Sequence, residues 1–244
     1  MTSFLMALYV ILCRNARVSK VLNALNTFLV PELCFGCKAH LYRGENILCV
    51  FCRNVLPITE CNPKALNSIV PLFCERFETI TGIALCYFEP GGTVQELIHK
   101  LKYHNRQEIG RWFGDWCAKT LSDQALTFDW IIPVPLHPKK QRKRGYNQCE
   151  KFGKRIASHL GARYTEKILV RTVYQISQTR KNKSNRWTST QGVFDVTDPS
   201  ALSNCSVLLI DDVITTGATL KACCEVLRPI PGIRIHLAAI AIVP

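Results

Sequence analysis

The chain of 244 residues is 48% hydrophobic with a mean hydropathy of +0.06, which excludes a disordered protein and suits one α/β domain with a small appendage. No apolar run reaches the roughly eighteen residues of a transmembrane helix. The formal net charge of +13 lies in one segment, because residues 137–186 hold fifteen Lys and Arg against two acids. This segment predicts a polyanionic ligand or nucleic acid as partner, with a solvated basic surface as the alternative.

Residues 1–32 are predicted to form an N-terminal helical segment. The apolar core of residues 1–13 has the length of a signal peptide, but no basic residue precedes it and no small-x-small cleavage site follows it before Arg14. We interpret it as a helix that packs or associates weakly with a membrane, or as an over-extended start, and a secretory signal is the least favoured interpretation. Helical spacing in residues 19–29 predicts a helix that ends before Pro31.

Two Cys-x-x-Cys pairs follow, Cys34 with Cys37 and Cys49 with Cys52, separated by eleven residues. Two such turns can present four thiolates tetrahedrally to Zn²⁺, which leaves no coordination position for catalysis. A single pair could be a redox site, but that needs a βαβ context, which is not evident. We therefore predict a structural zinc module over residues 33–61.

The other nine cysteines show no ligand spacing. An odd total of thirteen cysteines in a chain of this size argues against a disulfide scaffold, so reduced thiols and a cytoplasmic location are predicted. These nine are predicted to be small buried residues: Cys13, Cys61, Cys74, Cys86, Cys117, Cys149, Cys205, Cys223 and Cys224.

Residues 62–74 contain two prolines and little periodicity, which predicts a connector to a second domain over residues 75–244. Short apolar or β-rich runs alternate with amphipathic segments there, so we expect an α/β fold with a mainly parallel sheet flanked by helices. The predicted strands are residues 79–88, 129–135, 168–170, 207–210 and 234–243. The predicted helices are residues 93–121, as one or two helices with a core of aromatic residues, 146–160 and 220–227.

Two loops of this domain are predicted to be functional. Residues 137–145 form a basic loop beyond a strand end, where a parallel α/β sheet commonly has an anion-binding turn. Residues 177–186 are polar and basic without periodicity, which predicts a long loop that acts as a lid.

Residues 207–219, VLLIDDVITTGAT, hold the strongest functional signal. The apolar run predicts a strand buried on both faces, and Asp211 and Asp212 follow where that strand should end. Residues 215–219 have the composition of a phosphate-binding loop before a helix, so a polyol and a phosphate fit the two halves. The alternative is an ordinary acidic turn with a threonine N-cap.

This stretch resembles the phosphoribosyl-pyrophosphate (PRPP) motif of type I phosphoribosyltransferases. The resemblance implies that the acid pair contacts the ribose hydroxyls, in some members through Mg²⁺, and that the loop holds the 5′-phosphate. The implied PRPP-binding residues are Asp211, Asp212, Thr215, Thr216, Gly217, Ala218 and Thr219.

The wider pattern resembles the ComF family from about Leu33 to the end of the chain. It combines the four-cysteine module, a Pro-Val-Pro strand end leading into Arg-Gly-Tyr-Asn-Gln at residues 144–148, a Ser-Gln-Thr loop and the PRPP motif. Tyr146 replaces the usual phenylalanine. The resemblance implies a type I phosphoribosyltransferase fold with a zinc module, a cytoplasmic place, and a role with the competence machinery in handling single-stranded transforming DNA.

Two function classes remain open. An enzyme would release pyrophosphate from PRPP, with Mg²⁺ and the basic residues Lys143 and Arg144 on the pyrophosphate, under a lid containing Gln178 and Arg186. The acceptor and any catalytic residue stay unassigned, because no activating base is evident. A binding protein would instead hold single-stranded DNA, with PRPP as ligand or regulator. Aromatic residues within the basic segment would then stack on bases or else belong to the core: Tyr146, Tyr164, Tyr174 and Trp187.

Overall fold

The computed structural model describes residues 32–59, 81–172 and 193–244. The chain divides into two compact units, Met1–Val55 and Leu56–Pro244. The predicted N-terminal helix, the connector at residues 62–74 and the lid, with Gln178 and Arg186, lie outside the described residues. Tyr174 and Trp187 lie outside them as well.

The part of the first unit that the structure describes, residues 32–55, contains tight turns and a short helix, α1 (Val50–Asn54). In the first turn, the Lys38 N–H donates to the Cys34 carbonyl at 3.0 Å, and the Cys34 N–H donates to Ala39 at 2.8 Å. Lys38 adopts a positive φ of 64° to close this turn. Within residues 32–55 the buried apolar residues are Cys34, Ile47, Leu48 and Cys52, so two of the four are cysteines.

The second unit is an α/β structure with a parallel sheet, as its alternating pattern predicts. Its helices are α2 (Thr93–Tyr103), α3 (Gln107–Asp123), α4 (Pro138–Arg144), α5 (Glu150–Leu160) and α6 (Ala218–Leu227). Its strands are β1 (Thr81–Tyr87), β2 (Trp130–Pro133), β3 (Arg163–Tyr164), β4 (Leu169–Arg171), β5 (Phe194–Val196), β6 (Ser206–Ile214) and β7 (Arg234–Ile242).

Five of these strands form one sheet in the order β1-β7-β6-β2-β3, and every pairing in it is parallel. β4 and β5 form a separate antiparallel pair. The central strands are buried because both faces of the sheet are covered, which explains the continuous apolar run Val207–Ile210 in β6.

Helix α5 packs closely on the sheet beside the candidate site. A Cβ at Gly153 would lie 2.5 Å from the Cδ1 of Ile210 and 2.7 Å from the ring of Tyr164. A Cβ at Gly114 of α3 would lie 2.7 Å from the Cβ of Arg155 in α5. The two glycines therefore let α3, α5 and β6 approach one another, which fixes the loop that precedes α5 relative to β6.

The predicted basic loop is instead a helix for most of its length, so that prediction is wrong. The ring Nδ1 of His137 accepts a hydrogen bond from the Lys139 N–H at 3.1 Å, Pro138 occupies the first turn, and Gly145 ends α4 with a φ of 83°. These are ordinary helix start and stop signals. Helix α5 begins at Glu150 rather than at residue 146 because the intervening residues form a hydrogen-bonded turn.

The other expectations on core and cysteines are largely confirmed. Phe113 is buried in the core and Trp112 and Trp116 are half-buried against it. The cysteines of the second unit that the structure describes are buried, apart from the half-buried Cys205. Among the described helices, none has both the length and the apolar character to cross a membrane.

Candidate functional site

The acid pair lies in β6 beyond the end of its neighbour β2. β2 ends at Pro133, opposite Ile210, whereas β6 continues beside β7, with Asp211 opposite Ala239 and further pairing to Ile214. The prediction that the strand ends at the acid pair is thus wrong on the β7 side, because β7 pairs with three more residues, Asp211, Val213 and Ile214. On the β2 side the carboxylates stand past the strand end, where ligands of open α/β sheets bind.

Asp212 is the more enclosed member of the pair, with 4% of its surface exposed. Its Oδ2 forms a salt bridge with the Nζ of Lys102, in the last turn of α2. Its Oδ1 accepts a hydrogen bond from the Nε2 of Gln148 at 3.0 Å. Among the described residues, Oδ2 accepts no hydrogen bond beyond the ion pair with Lys102, so the carboxylate keeps a buried oxygen that a ligand could bind.

Asp211 has a different environment. Its Oδ1 accepts a hydrogen bond from the Asp212 N–H at 2.8 Å, and no lysine, arginine or amide side chain of the described chain lies within hydrogen-bonding distance of it. Burial, followed by the charge of Asp212, raises its pKa well above the usual range. Burial and the neighbouring charge thus favour the protonated form of Asp211.

Cys149 adjoins both carboxylates. Its Sγ and the carboxylate oxygens lie within 4.8 Å of one another, and the residue is fully buried. Burial, then the charges of Asp211 and Asp212, raise the pKa of this thiol. A protonated thiol is a poor ligand for a hard cation such as Mg²⁺, which binds oxygen atoms. In this cluster the carboxylate oxygens, rather than the thiol, are therefore the groups suited to Mg²⁺.

The Arg-Gly-Tyr-Asn-Gln turn at residues 144–148 connects three elements to the acid pair. The hydroxyl of Tyr146 donates to the Leu101 carbonyl in α2, and the Asn147 side chain donates to the Val134 carbonyl after β2 at 3.1 Å. Asn147 Oδ1 also accepts from the Cys149 N–H at 3.0 Å, so it caps the turn. Gln148 completes the turn by bonding Asp212 and by accepting from the Nη1 of Arg144.

A basic pocket of about 330 Å³ lies next to this turn. Its volume suits a small ligand, and no acidic side chain lines it. The guanidinium of Arg144 stands 5.4 Å from the centre of the Tyr103 ring, and 64% of Tyr103 is exposed. The lining residues are Lys102, Tyr103, Asn105, Lys140, Lys143, Arg144 and Tyr146.

The threonine-rich loop follows β6 directly, and α6 begins after it. Gly217 has a φ of 70° and occupies the N-cap position of α6, a conformation that glycine adopts without strain. The Ala218 N–H donates to the Thr216 Oγ1 at 3.4 Å. Residues 215, 216, 218 and 219 are exposed, whereas Gly217 is buried. The loop therefore offers hydroxyl groups and the positive end of a helix dipole to solvent.

The structure brings several predicted residues together. Asp212 reaches Arg144 through Gln148, and Lys143 lines the same pocket as Arg144. Of the candidate stacking residues, Tyr146 lines the pocket, whereas the hydroxyl of Tyr164 is bonded to Glu166 at 2.6 Å. Sequence analysis missed Lys102, because nothing marks a lysine at a helix end as the partner of a distant aspartate. The functional importance of Asn147 and Gln148 could have been suspected from two adjacent amides within a motif.

The four predicted zinc ligands do converge. The Sγ atoms of Cys34, Cys37, Cys49 and Cys52 lie within 4.8 Å of one another, and those of Cys37 and Cys49 are 3.7 Å apart. Thiolates about 2.3 Å from a tetrahedral zinc ion would be separated by about 3.8 Å, so the cluster is compatible with structural zinc.

The cysteine sulfurs differ in their surroundings. Burial would raise the pKa of Cys34, but N–H groups of the turn, first that of Cys49 at 3.3 Å, outweigh burial and lower it to about 6. Burial raises the pKa of Cys52 to about 12. Cys34 thus favours its thiolate form and accepts hydrogen bonds from backbone N–H groups at its sulfur. Both features are usual around a zinc ligand.

Comparison with known proteins agrees with this architecture. Residues 147–243 match the family model of the phosphoribosyl transferase domain. Competence protein F of Haemophilus influenzae is 28% identical over 148 residues, which are 58% of this chain and 63% of that protein. The DNA utilization protein YhgH of Escherichia coli O6:H1 is 25% identical over 81% of this chain and 91% of its own length.

A third relative is competence protein ComFC of Bacillus subtilis, 24% identical over 78% of this chain and 75% of its own length. The matched domain contains β6, the threonine loop, α6 and β7, and its mainly parallel sheet is flanked by helices as predicted. The expected fold class is confirmed, including a cysteine cluster within residues 34–52. The chain therefore resembles the ComF family, and its residues 147–243 match the phosphoribosyl transferase domain.

Proposed function

We propose that the second unit binds PRPP at the edge formed by β6 and α6, and that the protein acts in natural competence, in the uptake or processing of single-stranded transforming DNA. The observation that carries the proposal is the short distance along the chain between the acid pair in β6 and the start of α6. Only residues 215–217 separate the end of β6, with its carboxylates, from the first residue of α6. Groups suited to ribose and groups suited to phosphate thus share one edge of the sheet.

Each part of PRPP has a candidate partner. The 5′-phosphate would accept hydrogen bonds from Thr215, Thr216, Thr219 and the backbone of Gly217 and Ala218. The ribose hydroxyls would bind the acid pair, and the pyrophosphate would lie against the basic pocket that contains Lys143 and Arg144. Mg²⁺ that accompanies PRPP would neutralise part of the pyrophosphate charge.

Two roles remain for such a site, and the acceptor decides between them. In a transferase, the bases of the pocket would stabilise the charge that develops on departing pyrophosphate. In a binding protein, PRPP would be a ligand or regulator. The second role is favoured by one observation: the pocket combines four basic side chains with the exposed ring of Tyr103, the composition of a single-stranded DNA site. The names of the relatives, competence protein and DNA utilization protein, support a DNA-related role.

Calorimetric titration with PRPP and Mg²⁺ tests the site. Wild-type protein should bind PRPP, and Asp211→Ala should abolish binding. Asp123→Ala is the matched control, because this carboxylate is exposed at the end of α3, pairs with Lys119, and lies far along the chain from the acid pair. Unchanged affinity in Asp211→Ala would remove the acid pair from the site.

A second assay separates transferase from binding protein. Pyrophosphate release from PRPP should be measured with nucleobases and with single-stranded DNA as candidate acceptors. Release that depends on one acceptor identifies a transferase. Binding of PRPP without release for any of these acceptors favours the regulatory role.

A further inference from the structure

The four cysteines of the first unit differ in their access to solvent. Cys37 is exposed and Cys49 is half-buried, whereas Cys34 and Cys52 are 0% and 5% exposed. In a closed zinc site all four sulfurs are thiolates, so their protonation does not distinguish them. Access to a dissolved reagent does distinguish them, and it favours the sulfur of Cys37 before that of Cys49.

The two accessible sulfurs are also neighbours. The Sγ atoms of Cys37 and Cys49 are 3.7 Å apart, although the two residues belong to different Cys-x-x-Cys pairs. The Phe35 N–H donates to the Ile47 carbonyl at 2.9 Å, which joins the two chain segments that carry them. A disulfide forms between sulfurs that can approach to about 2.05 Å, so Cys49 is well placed as the partner of Cys37.

The buried sulfur of Cys34 is the competing partner. It accepts a hydrogen bond from the Cys49 N–H at 3.3 Å, whereas the sulfur of Cys49 accepts a longer one, from the Cys52 N–H at 3.5 Å. A hydrogen bond to a thiolate stabilises the charged form and lowers its nucleophilicity. Cys34 is therefore both less accessible and less reactive than Cys49.

We propose that Cys37 and Cys49 form an oxidation site, at which hydrogen peroxide converts two thiolates into one disulfide that opens the cysteine cluster. The Cys37 thiolate attacks one peroxide oxygen, the O–O bond breaks, and a sulfenic acid and hydroxide are formed. The Cys49 thiolate then attacks the Cys37 sulfur, and the S–O bond breaks with loss of a second hydroxide. The two thiolates lose two electrons in total, and the peroxide gains them.

This disulfide would remove two of the four candidate zinc ligands. The two remaining thiolates are too few for a closed tetrahedral site, so we expect oxidation to release bound zinc. Residues 32–55 should then become more accessible to protease, because the folding of small metal-binding units is coupled to the metal. The oxidation site belongs to the first unit, so the inference does not depend on PRPP binding by the second.

Mapping of the disulfide after mild oxidation tests the proposal. The full-length protein, purified under reducing conditions, is treated with an equal concentration of hydrogen peroxide, and N-ethylmaleimide then blocks the remaining thiols. Trypsin cleaves after Lys38, Arg43 and Arg53, so the two Cys-x-x-Cys pairs fall on different peptides. Mass spectrometry therefore distinguishes a disulfide that joins the two pairs from one within a pair.

We expect the two peptides to be joined through Cys37 and Cys49, with N-ethylmaleimide on Cys34 and Cys52. A chromogenic chelator should record the loss of about one zinc ion for each disulfide formed. The matched control is the same protein unfolded in urea with a chelator. The shortest loops close most readily there, so disulfides within each pair should dominate.

A second control excludes oxidation elsewhere in the chain. Cys205→Ser removes the half-buried thiol of the second unit, and zinc release by peroxide should be the same as in the wild-type protein. Dithiothreitol and Zn²⁺ together should restore the metal content after oxidation, because a disulfide is reducible whereas sulfinic and sulfonic acids are not.

Three results would overturn the inference: disulfides only within each pair of the folded protein, a disulfide that joins the pairs through Cys34 or Cys52, or zinc loss without any disulfide. A protein purified without zinc would refute the metal prediction by itself. The disulfide map would still decide the oxidation site, because it requires only that the four sulfurs lie as the structure places them.

Discussion

The ammonium group of Lys102, at the end of α2, is paired with the carboxylate of Asp212, in the middle of the parallel sheet. The side chain of Asp212 is 5% exposed and that of Lys102 is 24% exposed. The two residues are 110 positions apart in the sequence, so the pair ties helix α2 to the central strand β6.

Removing the lysine should destabilise the second unit strongly. In Lys102→Met the carboxylate of Asp212 loses its cation inside the protein, and we expect the free energy of unfolding to fall by about 3 kcal/mol. Urea denaturation of Lys102→Met and of the wild-type protein measures this difference in the free energy of unfolding. The double variant Lys102→Met/Asp212→Asn should recover much of this loss, since no unpaired charge remains buried. A double variant as unstable as Lys102→Met would show that the pair is not what stabilises this contact.

The raised pKa of Asp211 predicts a distinct pH dependence of stability. Above about pH 4 the unfolded chain releases the Asp211 proton while the folded protein keeps it, so this group lowers stability as pH rises towards its folded pKa. Asp211→Asn removes that contribution, and its Tm relative to wild type should increase with pH over this range.

Asp198 provides a control of opposite sign. The Ser200 hydroxyl bonds its carboxylate at 2.6 Å and lowers its pKa. Its contribution to stability is therefore present at neutral pH and is lost as pH falls through the lowered pKa. The Tm of Asp198→Asn should therefore differ from the wild-type Tm above about pH 4, and the two Tm values should converge in acid. Thermal melts at a series of pH values measure both variants, and a Tm difference for Asp211→Asn that does not change with pH would contradict the assignment.

The hydroxyl of Tyr146 donates a hydrogen bond to the Leu101 carbonyl, and a phenylalanine at this position could not form that bond. Tyr146→Phe keeps the ring but removes the hydrogen bond to the Leu101 carbonyl, and we expect a loss of about 1 kcal/mol in the free energy of unfolding. Tyr42→Phe is a suitable control, because that ring is 79% exposed. Equal stabilities of Tyr146→Phe and wild type would mean that water replaces the Leu101 bond without cost.

The cysteine cluster predicts about one zinc ion per chain. Cys34→Ser should lose the metal and with it the fold of residues 32–55, because a small metal-dependent unit gains its folding energy from the ion. Metal analysis and limited proteolysis check both effects, with Cys205→Ser in the second unit as control. A wild-type protein that contains no metal and yet resists proteolysis at these residues would refute the prediction.

If single-stranded DNA is a partner, its affinity should depend steeply on salt. Log K should fall with log salt by about 0.7 for each phosphate that a basic side chain contacts. The exposed helix α4 supplies Lys140 and Lys143 to the pocket, so Lys140→Ala/Lys143→Ala should reduce this slope by about 1.4. Tyr103→Ala should weaken binding with the slope unchanged, since stacking involves no phosphate. A salt-independent affinity would exclude α4 from DNA binding.

Much of the fold follows from short-range pattern. The continuous apolar runs of β6 and β7, the amphipathic stripe of α2 and α3, and the paired cysteine turns each depend on residues close in sequence, so they could be predicted. The ends of elements were less predictable. Helix α4 forms because His137, Pro138 and Gly145 cap a run of bases that has no apolar stripe, and β6 continues past Asp212 because β7 pairs with it.

By itself, the sequence determined the type of sheet, the four thiolates and the place of the acid pair and threonine loop, because each is encoded within about a dozen consecutive residues. Only the tertiary structure decided that the two adjacent aspartates differ. Asp212 contacts Lys102 and Gln148 from two other elements, whereas burial and the charge of Asp212 raise the pKa of Asp211. Burial and charge at a residue depend on neighbours that are distant in sequence, and a local motif does not specify them.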